Sequence, residues 1–268
     1  MVVACGPYMT IVCDKYGHVH IFGNDGKRNT KPGTIQRMEG SFDNEQVVMA
    51  SVGRGHKACI TAEGMWTWGS AEYCELGHGD CKKIERPHII HKSMLGESAA
   101  VMVACGIHHM LVLTARKVVW SCGWGHYSQL CHGDKEDHEK LTQNILANIA
   151  MVACGGTYSM AVDTQGQLFS WGDNNDDQLG HNDFTNRTLP KMLPSEAFAG
   201  DAVELVSAGK FHAAAVTIKG TLYVWGSNRM GQLGMNSIGD IINPTLLPAF
   251  EDWPASSVSC CLNHTMVV

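Results

Sequence analysis

What this chain lacks narrows its function before any single residue is interpreted. No Cys-x-x-Cys occurs, which removes the commonest zinc-binding spacing. Neither a Walker-type phosphate loop nor a Gly-x-Ser-x-Gly nucleophile elbow is present. No apolar stretch approaches the length of a membrane span. Lys/Arg-rich runs are missing and the net charge is −6, so the clustered cations that hold phosphate backbones are not available and nucleic acid is not expected as a partner. Met1–Val12 is apolar but lacks a basic start, so it reads as a strand rather than a signal peptide. With no nuclear-localisation run, the expected compartment is the cytoplasm, with the nucleus as the alternative. No window combines a sustained helical period with helix caps.

What is present is punctuation. Gly6/Gly17, Gly53/Gly64, Gly155/Gly166 and Gly209/Gly220 recur at one spacing, with Gly106/Lys117 as an altered copy. Each pair leads to an X-Gly step: Phe22-Gly23, Trp68-Gly69, Cys122-Gly123, Trp171-Gly172 and Trp225-Gly226. Further on come Leu76-Gly77, Leu179-Gly180 and Leu233-Gly234, then Pro87, Pro190 and Pro244; the altered copy has Leu130-Cys131 and Leu141. The period is about 50 residues, and a sixth copy opens at Val258. Within a repeat, short apolar runs bounded by Gly, Asp and Asn are hairpin signals, as in Ser159–Val162, the turn Asp163–Gly166 and Gln167–Trp171. Period and strand content predict four-stranded blades.

The pattern Cys-Gly-x-x-His, Trp-Gly, Gly-Gln-Leu-Gly-His-Gly-Asp, Pro resembles the RCC1 repeat, the unit of a seven-bladed propeller. Leu76-Gly77-His78-Gly79-Asp80 carries its most recognisable segment, and Leu130-Cys131-His132-Gly133-Asp134 nearly does. The resemblance covers the whole chain and implies an all-β propeller with about five blades. Residues 1–268 then form one array, with repeats near 2–48, 49–101, 102–150, 151–204 and 205–256 and a partial sixth at 257–268. Five repeats and one strand imply an incomplete, open version of the ring.

Residues that recur in every repeat are first of all structural. This applies to Gly6, Gly53, Gly106, Gly155 and Gly209, and to the core indoles Trp68, Trp171 and Trp225. His56, His109 and His212 share a position filled by Met9 and Tyr158 elsewhere, which excludes an obligatory proton-transfer role there. Cys5, Cys105, Cys154 and Cys260 align with one another, sit in different blades and cannot pair; the eleven cysteines are read as small buried thiols. His78 and His132 are read as loop residues. Gly53-Arg54-Gly55-His56 lacks the helix a dinucleotide fingerprint needs, and Asp173, Asn175 and Asp177 lack the glycine and glutamate of a calcium loop. No catalytic, cofactor or metal-binding residue is therefore expected. Ultraviolet-sensing relatives carry a Gly-Trp-Arg-His-Thr motif, but Pro7, Arg54, Ile107, Gly156, Lys210 and Leu262 stand where its Trp would be.

The resemblance implies a non-catalytic interaction module, part of a larger regulator or ubiquitin ligase, with exchange activity on a Ran-like small GTPase as the alternative. The partner is then a protein, either a small GTPase or a ubiquitin-pathway component. Variable loops are where it should dock. Lys27, Arg28, Lys31 and Arg37 form a basic stretch where the Gln-Leu-Gly segment is missing, and Asp134, Glu136 and Asp137 form an acidic loop. Trp124 and Trp253 fall off the core position and are expected to be exposed.

Overall fold

The computed structural model describes residues 1–23, 35–38, 42, 45–250 and 252–268. Two compact units are formed, Met1–Trp124 with Asp137–Asn144, and Gly125–Glu136 with Ile145–Val268. Five antiparallel four-stranded sheets, here numbered as blades one to five, each use four consecutive strands. The first unit holds Val2–Cys5, Met9–Cys13, Val19–Gly23 and Gln36–Met38; Met49–Val52, His56–Ile60, Met65–Gly69 and Ile84–Ile90; and Ala100–Cys105, His109–Thr114, Val119–Gly123 and His138–Gln143. The second holds Ile149–Cys154, Tyr158–Asp163, Leu168–Gly172 and Arg187–Met192, then Val203–Ala208, His212–Thr217, Leu222–Gly226 and Ile241–Leu246. Val258–Cys260 and Thr265–Val267 make a separate two-stranded sheet, so the first and last strands of the chain belong to different sheets.

One register repeats in every blade. Met9, His56, His109, Tyr158 and His212 open the second strand, and each pairs with the glycine that closes the third. Second strands are covered on both faces, and in blades two, three and five every residue of that strand is buried. Fourth strands are the exposed ones, and Pro87, Pro190 and Pro244 lie in them, where a missing N–H costs least.

The first glycine of the repeat is explained by crowding. A Cβ on Gly53, Gly155 or Gly209 would lie 2.1, 1.9 and 2.1 Å from the ring of His56, Tyr158 and His212 respectively. Gly6 would meet the Val52 side chain at 2.6 Å, while Gly106 is buried and its carbonyl would be 2.5 Å from a Cβ on Gly53. In these three repeats the ring therefore packs against the recurring glycine. Tyr158 hydroxyl donates to the His212 carbonyl, and His212 Nε2 donates to Thr265 Oγ1 at 3.0 Å, carrying the contact from one repeat to the next.

The indoles do the same work one layer away. Trp68, Trp171 and Trp225 are fully buried. Trp171 Nε1 donates to the Gln129 carbonyl at 2.9 Å and Trp225 Nε1 to the Gln178 carbonyl at 3.0 Å, each reaching the preceding repeat. In the altered repeat Cys122 Sγ donates to the Glu75 carbonyl at 3.5 Å, and Thr265 Oγ1 donates to Gln232 at 2.8 Å. Trp68 Nε1 has no partner among the described residues. The preceding repeat is the one whose sequence lacks the Gln-Leu-Gly segment.

The turn between second and third strands needs left-handed backbone. Gly17, Gly166 and Gly220 hold it at φ 84°, 80° and 79°, and Lys117 holds it at φ 59° in the altered copy. A left-handed L-residue is strained by about 1–2 kcal/mol, part of which glycine's extra unfolded-state entropy offsets. Lys117→Gly should therefore stabilise the protein by about 0.5–1 kcal/mol in urea unfolding. An unchanged or lower midpoint would contradict this account of the turn.

Two expectations about cysteine need correction. Cys74 and Cys81 form a disulfide with Cα atoms 4.1 Å apart. Left-handed backbone at Cys74, Gly77 and Gly79 doubles the loop back on itself and brings the two together, which no spacing rule signals. Cys5 is exposed rather than buried. The other aligned thiols fit the expectation better: burial pushes Cys105 and Cys260 up to about 12, and none of the four aligned residues forms a disulfide. The Asp173–Asp177 segment is a turn, with Asp177 at φ 61° and Asp173 accepting from Thr157 Oγ1 at 3.0 Å. Among the described residues no helix is long and apolar enough to cross a membrane.

Candidate partner-binding face

The loops after the third strands share a frame. A backbone N–H donates to the side-chain oxygen of the Gln two residues on: Tyr127 to Gln129 at 3.0 Å, Asp176 to Gln178 at 2.8 Å, Met230 to Gln232 at 2.9 Å. The Nε2 groups of Gln129 and Gln178 are buried without a hydrogen-bond partner among the described residues. Blade two breaks the pattern. There the position is Glu75, fully buried, whose Oε2 takes the Tyr73 N–H at 3.0 Å.

Exchanging amide for carboxylate turns a donor into an acceptor. Glu75 Oε1 uses it to accept from His108 Nδ1 at 2.9 Å. Arg54 Nη1 lies 3.4 Å from His108 Nε2. A guanidinium can only donate, so Nε2 accepts and Nδ1 carries the proton given to Glu75. This chain of contacts fixes the tautomer and the plane of the ring. Burial alone would raise the Glu75 carboxyl; the His108 hydrogen bond, the neighbouring His56 and the local N–H groups outweigh it and hold the carboxyl below its ordinary range.

Aromatic rings close over the pair. The Tyr73 ring is 4.7 Å from His108 and 5.3 Å from Trp124, and Trp124 meets His108 edge-on at 5.9 Å. Arg54 is exposed, and Tyr73, His108 and Trp124 are each half-buried. The result is an aromatic patch with a guanidinium at its rim, set by residues from two adjacent blades. Arg54, Tyr73, Glu75 and His108 were not singled out as a site from the sequence. A signal existed: Glu75 stands where three other repeats hold Gln129, Gln178 and Gln232.

The residues singled out from sequence fare unevenly. Lys27, Arg28 and Lys31 lie outside the described residues. Arg37 is exposed in the short fourth strand of blade one. Asp134, Glu136 and Asp137 are exposed, with Asp134 Oδ1 accepting the Glu136 N–H at 3.2 Å. Trp253 is 75% exposed as expected, but Trp124 is held half-buried by Tyr73 and His108. A triad of nucleophile, His and carboxylate is not formed around Glu75–His108, since the group beyond Nε2 is a guanidinium.

Comparison with known proteins agrees with the fold. The RCC1-like domain profile matches residues 1–268. The ultraviolet-B receptor UVR8 of Arabidopsis thaliana is 34% identical over 228 residues, 83% of this chain and 51% of the receptor. The human E3 ubiquitin-protein ligase HERC2 is 30% identical over 261 residues, 93% of this chain but 5% of the ligase. The chain thus spans about half of the receptor and a small part of the ligase. In the crystal structure of Kap60 bound to yeast RCC1 (Prp20), 99% of this chain superposes on 67% of the matched chain with a TM-score of 0.85 at 20% identity, which speaks for the fold alone. Matched along its whole length and built from the same blades, the chain belongs to the RCC1-like domain family.

Proposed function

We propose that the chain is a non-catalytic protein-interaction module of a larger regulator, and that its partner docks on the patch formed by Arg54, Tyr73, His108 and Trp124. The observation that carries this reading is the Glu75–His108 pair. It spends a buried charge to hold one half-exposed aromatic cluster rigid, at the place where this repeat departs from its neighbours. Tyr, Trp and Arg on a preorganised surface are the residue types that dominate binding energy at interfaces. The near-complete match to a segment of a ubiquitin ligase supports a host protein of that kind.

The test uses the whole chain and a triple variant, Arg54→Ala with Tyr73→Ala and Trp124→Ala, checked for native circular dichroism. A partner captured by the parent should bind the variant about 30-fold or more weakly, the loss of roughly 2 kcal/mol that one interface hot spot carries. Equal affinity would remove the patch from the interface. An exchange assay on a panel of small GTPases separates the alternative reading, since acceleration of nucleotide release would make the chain an exchange factor.

A further inference from the structure

We propose that Asp14, His18 and His20 form a binding site for one divalent first-row transition ion, with Zn2+ as the type case. The donor atoms are Asp14 Oδ2, His18 Nδ1 and His20 Nε2, which all lie within 4.8 Å of one another. The two nitrogens stand 2.9 and 3.3 Å from the carboxylate oxygen. Ligands about 2.0–2.1 Å from a shared ion are separated by about 2.9 Å at a right angle and about 3.4 Å at the tetrahedral angle. Both carboxylate–imidazole spacings therefore suit a common ion. Two imidazoles and one carboxylate are borderline donors, suited to zinc and its neighbours rather than to calcium or magnesium. The side chains are 28–30% exposed, so an ion can enter, and three protein ligands leave a place for water or a further ligand.

The carboxylate is oriented before any ion arrives. Asp14 Oδ1 accepts the Tyr16 and His18 N–H groups at 2.8 and 3.0 Å, which turns Oδ2 toward the two rings. Outer hydrogen bonds of this kind orient ligands in metal sites generally. The same turn occurs in blade four, where Asp163 Oδ1 accepts from Gln165 and Gln167 at 2.8 and 2.9 Å. The turn is thus a property of the repeat, but the imidazoles are not. The residue after the turn position is Val118, Gln167 and Thr221 where blade one has His18. The third-strand position of His20, which pairs with Val12, is Trp66, Trp120, Phe169 or Tyr223 in the other blades. Spaced by two along an extended segment, His18 and His20 project to one face, over Asp14.

Blade four also supplies the control. His18→Gln with His20→Phe recreates the Asp163–Phe169 arrangement, which folds in this same molecule. Cobalt titration of the full chain reads the ligand type, because the nine cysteines outside the disulfide offer competing thiolates. The parent should bind one equivalent of Co2+ with a nitrogen–oxygen visible spectrum and no thiolate charge-transfer band, and Zn2+ should displace it. The double variant should keep its circular dichroism and lose at least about a hundredfold in affinity. Absence of binding by the parent, a thiolate spectrum, or equal affinity in the variant would each overturn the proposal.

Discussion

Truncating Trp171 to Ala should lower unfolding stability by about 3–5 kcal/mol, and Trp171→Phe by only about 1 kcal/mol. The indole is 0% exposed, so most of its contribution is buried apolar area and close packing, and Ala leaves a cavity. Its N–H adds a hydrogen bond to the Gln129 carbonyl at 2.9 Å. That carbonyl also accepts from Ser159 Oγ at 2.9 Å, so losing the indole does not leave a buried acceptor unpaired. Phe keeps most of the apolar bulk and loses the fused second ring with its N–H, which is why it should cost less than Ala. Urea unfolding of the pair measures it. Similar losses for both would place the value of Trp171 in its hydrogen bond instead.

Acid should be the second large lever. Burial depresses His56 and His212 from an ordinary 6.5 to about 4. A base with a depressed folded pKa stays neutral in the fold while the unfolded chain takes up protons, so stability is complete above pH 6.5 and falls as pH drops toward 4. At pH 5 the loss is about 2 kcal/mol for each of the two residues, or about 4 kcal/mol together. His78 and His181 are also lowered to about 4, chiefly by burial, and act in the same direction. Replacing both His56 and His212 by Met, the residue blade one uses as Met9, should make the profile between pH 6.5 and 4 shallower, with the part due to His78 and His181 remaining. Melting temperatures across that range that leave the parent and variant parallel would rule out these two rings as the cause.

Much of the fold is legible in the sequence because backbone conformation and crowding act through residue type. Glycine is favoured where a ring lies on the chain or φ turns positive, and those positions recur at a fixed period, with Lys117 as the exception at the hairpin turn. The buried indoles follow from the same register. The candidate face is less legible because it joins residues from different repeats. Nothing in the local pattern brings residue 75 against residue 108; adjacent blades do that. Chemistry at the shared position was visible as a Glu among glutamines, but its partner was not. Trp124 was misjudged for the same reason, since an off-register aromatic looks exposed until its neighbours from another blade are placed. The Cys74–Cys81 pairing depends on left-handed backbone at three loop residues, which composition does not report.

The altered third repeat shows how such an array can drift. Above Gly180, a Cβ would meet the Trp225 indole at 2.8 Å; above Gly77, the same place is shared by Leu141 at 3.0 Å and Cys122 at 3.2 Å. The departure from Trp to Cys and the departure from Pro to Leu fill one volume between them. Each is therefore a poor substitution alone and a neutral one beside the other. Restoring Trp at 122 should be harmful while Leu141 remains. The residues at 122 and 141 should therefore respond to mutation as a pair, through the space two blades hold in common.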